Sequence, residues 1–434
     1  NILNHIKENS LIISFSFLII LSQLNYFRFK IIDFVVFLPR ILCLFFLIFF
    51  FYKIINILFK NFKLDKKNCI YFFLFFFQVF LSLIFINKDF LTSDLTSRLI
   101  FTFIYDIIKF FFIYIFFCII GSNLINKENL LLVFKIMLSL SYLVILFGFI
   151  LFIFFHYTHF DLIQRVFYYD DASSVGHRFY SLFGEPRNAA LFLITNMSIL
   201  IIIYQNFEKK IKLELYPYII LFMILSLIAF FYTKSFSAII GLLFGFGVIF
   251  LLLIQQLIFK KKSFKFYLKL ILFIFLLIGF FSIMLQIDRV LDYANQIKLY
   301  VLFNNNNADD RLEAQFKDVL PIVEYINYLI NLEYTKILIG NGSYSSYYFN
   351  DYEFANPHSF LARVIYDNGL IGLSLLSLFI FSSLSKNCNF IDKITLSFVY
   401  GSFLAINSTF IFTFLMFVIS IKKIKENNKI IIKK

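Results

Sequence analysis

Long apolar blocks fill this chain, broken by short clusters of charged and turn-forming residues. A helix that crosses a bilayer needs about 20 mostly apolar residues. The blocks Leu11–Phe27, Ile31–Tyr52, Cys69–Ile86, Leu99–Ile120, Leu130–Phe155, Asn188–Tyr204, Tyr216–Thr233, Ser237–Ile258, Phe266–Ile287 and Ser359–Leu384 are all read as spans on that measure. A last block, Ile391–Ile421, is too long for one helix, and Gly401, Asn407 and Ser408 offer a turn that divides it. The pattern predicts an all-α, polytopic membrane bundle of about twelve helices in a single membrane domain. Within it, Pro39-Arg40 is a candidate kink in the second span.

Composition agrees with that reading. Of 434 residues, 61% are hydrophobic and 15% charged, and the mean hydropathy is +0.85. A soluble domain of this make-up would leave too much apolar surface in water. The formal net charge of +14 does not point to nucleic acid. Its surplus lies in short lysine-rich connections, the mark of cytoplasmic loops beside anionic lipid. Lys60, Lys63, Lys66 and Lys67 form one such cluster, Lys260 to Lys262 a second, and the tail from Lys422 a third. The positive charge therefore predicts cytoplasmic N- and C-termini. The first apolar run carries no small-residue cleavage site and is read as a retained span.

With that orientation two outer connections exceed what joining helices requires, His156–Arg187 and Asp288–His358. Loops of such length are usually functional or disordered. The longer one has apolar stripes over Arg289–Phe303 and Leu312–Leu332, which predict amphipathic helices lying on the outer membrane face, with Asn304–Asn307 as a break. The four cysteines, Cys43, Cys69, Cys118 and Cys388, fall in spans or cytoplasmic segments, so no outer disulfide is expected. No spacing of His, Cys or carboxylate ligands suggests a metal, and no cofactor motif is present.

Arginine usage sharpens the picture. Of nine arginines, Arg28, Arg98, Arg165, Arg178, Arg187, Arg289 and Arg311 fall on the outer side, where lysine is sparse. Guanidinium offers a planar fork that holds phosphate or carboxylate in two parallel hydrogen bonds. Arg178 and Arg187 flank Phe183-Gly184-Glu185-Pro186, which leads into a span, so free N–H groups and the positive helix end meet both. Arg187 equally suits anchoring at the headgroups, with Glu185 as a helix cap. Lys234 sits in the tight turn Thr233–Ser237, where it either meets an anion or snorkels to the interface. Arg311 follows Asp309-Asp310, poorly placed for the helix dipole and so held by another partner, either an anion or a neighbouring acid. Arg40, Asp106, Lys109 and Arg363 place charge in or near spans, where it tends to face a bundle interior. Gly340-Asn341-Gly342-Ser343, then Asn356-Pro357-His358-Ser359, then Arg363 and Asp367-Asn368-Gly369 form the last constellation. An unperturbed imidazole has its pKa near working pH, so His358 suits either a surface hydrogen bond or proton transfer from a sugar hydroxyl.

The order of these pieces resembles the O-antigen polymerase and ligase family of bacterial envelope glycan enzymes. The resemblance is carried by Arg178 with Phe183-Gly184-Glu185-Pro186, Lys234–Ser237, Arg311, Gly340-Asn341-Gly342, His358-Ser359-Phe360-Leu361 and Gly369-Leu370-Ile371-Gly372. It departs at Phe236, where an arginine is common, and at Ser359, where asparagine is more frequent. Arg165 and Gly176 have the eleven-residue spacing of an Arg–Gly pair seen in some polymerases. The resemblance implies a multi-span glycosyltransferase fold of the GT-C type in the bacterial inner membrane. It implies undecaprenyl-diphosphate-linked oligosaccharide as substrate, no metal or other cofactor, and a chain-length regulator as a possible partner. Arg178, Arg187 and Arg311, with Lys234 and Arg289, would then hold the diphosphate, and His358 would orient or deprotonate the acceptor hydroxyl. Polymerase is the preferred reading. The ligase that moves finished glycan to lipid A core is the alternative, and a flippase of lipid-linked sugars, which would favour repeated halves, a more distant one.

Overall fold

The computed structural model describes residues 2–21, 28–31, 34–61, 66–85, 104, 114, 119–125, 129–158, 178–183, 186–205, 207–259, 268, 271, 274–275, 277–279, 282, 324–343, 345–346, 360–382 and 395–401. They are helical apart from one β-hairpin and short turns. In chain order the principal helices among the described residues are α1 (Ile2–Leu21), α2 (Leu38–Asn61), α3 (Lys66–Ser82), α4 (Leu130–Thr158), α5 (Pro186–Tyr204), α6 (Lys209–Thr233), α7 (Phe236–Phe259), α8 (Tyr334–Ile339) and α9 (Phe360–Ser382). Among the described residues α4, α5, α6 and the Phe360–Phe379 part of α9 are long and apolar enough to cross a membrane.

Helix α5 is the centre of the bundle. Every residue from Ala189 to Asn196 is buried, and the small side chains of Ala189 and Ala190 let neighbouring backbones approach. Against it α4 runs antiparallel. Phe134 near the start of α4 meets Phe207, just past the end of α5, at 5.3 Å. Further along, Gly148 faces Phe179, which precedes α5. Helix α6 is parallel to α4: Tyr142 meets Phe222 at 5.5 Å, and Phe152 meets Tyr232 at 5.1 Å. A second pair, α3 and α9, packs antiparallel, with Phe72 at 5.3 Å from Phe379 and the Ser82 hydroxyl at 2.8 Å from Asn368 Oδ1. One continuous apolar core joins both groups.

Two expectations need correction. The second span does not begin at Ile31. Residues Arg28–Ile31 (β1) and Phe34–Phe37 (β2) form an antiparallel hairpin, with Ile31 opposite Phe34 and Arg28 opposite Phe37. The Phe-Val-Val-Phe run is β-branched and aromatic, which favours an extended strand despite its hydropathy. Pro39 then sits in the first turn of α2 and does not kink the span, because its missing N–H is an orphan there anyway. The second correction concerns α6, which begins at Lys209 and not at Tyr216. Lys and Glu are good helix formers. The fold uses them: the Lys212 ammonium donates to Gln205 O at 2.8 Å, and the Tyr204 hydroxyl donates to Lys212 O at 2.9 Å.

Gly148 opens a notch in α4 that the chain before α5 occupies. A Cβ there would lie 2.4 Å from Phe179 Cζ and 2.7 Å from Ser181 Cβ. Ser181 has a left-handed backbone, φ 50°, and its hydroxyl donates to Val144 O at 2.7 Å. Alanine in place of this glycine would gain about 1 kcal/mol of helix propensity. It would lose about 1–3 kcal/mol to overpacking. Gly148→Ala is therefore expected to lower the melting temperature of the purified protein in detergent, and Gly148→Leu to lower it further. Equal melting temperatures for all three proteins would count against the notch.

Candidate functional site

Polar chemistry gathers at two places, and the first is a corner where α6, α7 and the approach to α5 meet. Phe179 N donates to Tyr232 O at 2.9 Å, and Phe183 N to Tyr180 O at 3.1 Å. Phe179, Tyr180 and Phe183 are buried, the last with its ring 4.7 Å from Phe192. The apolar side chains thus pin this segment down, while Arg178 sits half-buried at its edge. Its neighbour's bond to Tyr232 brings Arg178 to the end of α6, two residues before Lys234.

Lys234 forms the turn itself. It adopts a left-handed conformation, φ 46°, closes α6 by donating its N–H to Phe231 O at 3.2 Å, and leaves its side chain exposed. The next residue, Ser235, accepts Ala238 N at 3.4 Å and so caps α7. Helix α5 starts at Pro186, so Arg187 lies in its first turn, beside N–H groups without partners inside the helix. Two cations thus stand at the ends of consecutive helices, Arg187 at the head of α5 and Lys234 at the close of α6, and main-chain bonding brings Arg178 to the second. Opposite charge is what such a corner attracts, and a phosphate suits it through both charge and N–H donors.

The second place is a break in α9. Gly369 leaves the helix with φ 62° and ψ −165°. The freed carbonyls of Tyr366 and Asp367 accept the N–H groups of Asn341 at 2.9 Å and Gly342 at 3.1 Å. The two backbones touch so closely that only glycine fits. A Cβ on Gly369 would lie 2.4 Å from Leu338 O, and one on Gly340 2.4 Å from Asp367 O. Side chains complete the joint. Ser82 Oγ lies 2.8 Å and Ser343 Oγ 3.0 Å from Asn368 Oδ1, and each hydroxyl is also within bonding reach of the other, so two protons are shared among these oxygens. Val79 O, 2.7 Å from Ser343 Oγ, is an alternative acceptor for that hydroxyl. Asp367 Oδ1 accepts Ser346 N at 2.8 Å and the Ser345 hydroxyl at 3.2 Å, while Arg363 Nε lies 3.8 Å from Oδ2. The intramembrane charge of Arg363 therefore faces a carboxylate, as cost demands.

Of the residues singled out by sequence, Arg178 and Lys234 come together and Arg187 heads α5. Glu185, Arg289, Arg311 and His358 lie outside the described residues, as do Asp106 and Lys109. The Gly-Asn-Gly turn and Asp367-Asn368-Gly369, separate pieces in the sequence, interlock. Sequence reasoning missed Ser82 and its neighbour one turn back, the buried Gln78. The signal was there: both interrupt the apolar run Cys69–Ile86 at a spacing of four, which puts them on one helix face. No family model, curated protein or solved structure matches the chain.

Gly369→Ala would combine a strained positive φ, costing about 1–3 kcal/mol, with a backbone clash. It is expected to lower thermal stability in detergent more than Gly372→Ala, whose Cβ would meet only the Asn368 side chain. Asn368→Leu removes the acceptor shared by two buried hydroxyls, a loss of about 1–3 kcal/mol. Wild-type melting of both Gly369→Ala and Asn368→Leu would show that the joint carries no stability.

Proposed function

We propose that this chain is a membrane glycosyltransferase that polymerises oligosaccharide repeats carried on a lipid diphosphate, as the O-antigen polymerases do. The observation that carries the reading is the Phe179 N to Tyr232 O bond, which draws Arg178 to the Lys234 turn beside the head of α5. A diphosphate at the edge of the bilayer is the anion such a corner suits: compact, multiply charged and attached to an apolar tail. In this reading Arg178, Arg187 and Lys234, with Arg289 and Arg311, hold the diphosphate of the donor. The glycosidic C–O bond to phosphate breaks, its electron pair leaves with the lipid diphosphate, and the cations stabilise that departing charge. The acceptor hydroxyl forms the new bond as His358 takes its proton. No metal enters the scheme.

The enzyme reconstituted with lipid-diphosphate-linked repeats is expected to lengthen them. Arg178→Ala and Lys234→Ala should each slow that reaction by about 10²–10³-fold, the usual loss for one preorganised donor. In cells without the gene, gel analysis of surface glycan should show single repeats on the surface lipid. Bare core with polymer retained on the carrier would instead indicate a ligase, and an unchanged length distribution would remove both.

A further inference from the structure

The connection before α9 holds an amphipathic unit whose surface divides into three sectors. Residues 324–330 are helical and turn through Asn331-Leu332 into α8. At 100° per residue, Tyr325 and Tyr328 share one side, and both are buried. Tyr328 lies against Tyr366 of α9 with ring centroids 6.5 Å apart, and the Tyr325 hydroxyl donates to Ile337 O at 2.8 Å. Glu324, Asn327 and Asn331 share a second side, where the Asn327 amide donates to Glu324 at 3.4 Å. Ile326, Leu329 and Ile330 form the third, and they are exposed, Ile330 by 71%. Leu332 and Leu338 are exposed as well. The charge of α8 is satisfied locally: Lys336 pairs with Glu333 at 2.9 Å and stands 4.6 Å over the Tyr328 ring.

Depth along the bundle gives the exposed sector its partner. From its lysine end at Lys66, α3 carries Ser82 roughly 24 Å along the axis. The hydrocarbon layer is about 30 Å thick, so Ser82 stops short of the far side. Counted from the opposite direction, Asn368 lies roughly 12 Å from the Phe360 end of α9. Both counts put the joint of Ser82, Asn368 and Ser343 inside the apolar layer. The connection that supplies Ser343 must dip to reach it. Its backbone is equipped to do so, since the N–H groups of Asn331, Glu333, Tyr334, Ile337, Gly340, Asn341, Gly342, Ser345 and Ser346 all find acceptors. Non-helical backbone at membrane depth is tolerated where protein buries it, as it buries Gly340, Gly342 and Ser343 here. The exposed sector also continues the lipid side of α9, where Leu370 and Ile371 are exposed.

We propose that residues 324–343 form a re-entrant element that dips into the bilayer, with Ile326, Leu329, Ile330 and Leu338 against lipid acyl chains and Glu324, Asn327 and Asn331 facing water. This surface is independent of the glycosyltransferase reading and is tested without any activity. The chain contains no tryptophan, so one introduced indole reports alone. Ile330→Trp and Asn327→Trp proteins are reconstituted into phosphatidylcholine vesicles with brominated acyl chains, and quenching by those lipids is compared with quenching by aqueous iodide. The Ile330→Trp indole should emit at shorter wavelength, lose emission to the brominated lipid and resist iodide; Asn327→Trp should do the reverse. Where Ile330→Trp does not fold, Leu329→Trp and Ile326→Trp occupy the same sector. Iodide quenching throughout that sector would overturn the proposal, and so would resistance to both quenchers, which would mean that protein covers it.

Discussion

Inside a bilayer a main-chain amide has no water to turn to, and the arrangement of this protein follows from that. Continuous helices satisfy the condition without help, which is why apolar blocks become α4, α5 and α6. Wherever the chain departs from a helix at depth, something must replace the missing bonds. At Gly369 the replacement is the Gly340-Asn341-Gly342 turn, whose N–H groups meet the two carbonyls that the break releases. The turn can approach only because Gly340 presents no Cβ to the backbone of Asp367 and Asn368, and Gly369 none to that of Leu338 and Gly340. Asn368 and the two serines then fill much of the polar remainder of the joint, although Ser346 Oγ and Gln78 Nε2 stay buried beside it without a hydrogen-bond partner.

The corner at Lys234 meets a milder form of the same demand. Here the chain reverses at a helix end, and a left-handed residue with a capping serine closes the turn. The approach to α5 is fastened by three buried aromatic residues and a main-chain bond, which leaves Arg178 positioned by its neighbours. A cation held at a membrane edge by packing loses less entropy on binding an anion than one on a free loop.

Spans were legible because burial in lipid imposes a simple length and hydropathy requirement. The boundaries read for α4 and α7 match the observed helices to within three residues at each end. The hairpin at Arg28–Phe37 was not legible, since strand and buried helix look alike over so short an apolar run. Nor was the start of α6, where charged residues mark an end for hydropathy but not for helix formation. The joint at Gly369 was visible as separate glycine motifs. Their meeting depends on the antiparallel seating of α3 on α9, which no local pattern encodes. Of the cations proposed for the diphosphate, the structure places Arg178, Arg187 and Lys234; Arg289 and Arg311 belong to the long connection beyond the described residues, as does His358.

The bond between Ser82 and Asn368 spans 286 positions of the chain. Translation proceeds at about 5–20 residues per second, so roughly 15–60 s separate the synthesis of its two ends. Throughout that interval the Ser82 hydroxyl has only the Val79 carbonyl of its own helix, and lacks the Asn368 oxygen that α9 later brings. A newly made α3 is thus an incomplete surface in the membrane, and its docking is among the last events of assembly. The biogenesis of this protein must therefore include a waiting period, during which the insertion machinery or earlier helices shelter the polar edge of α3.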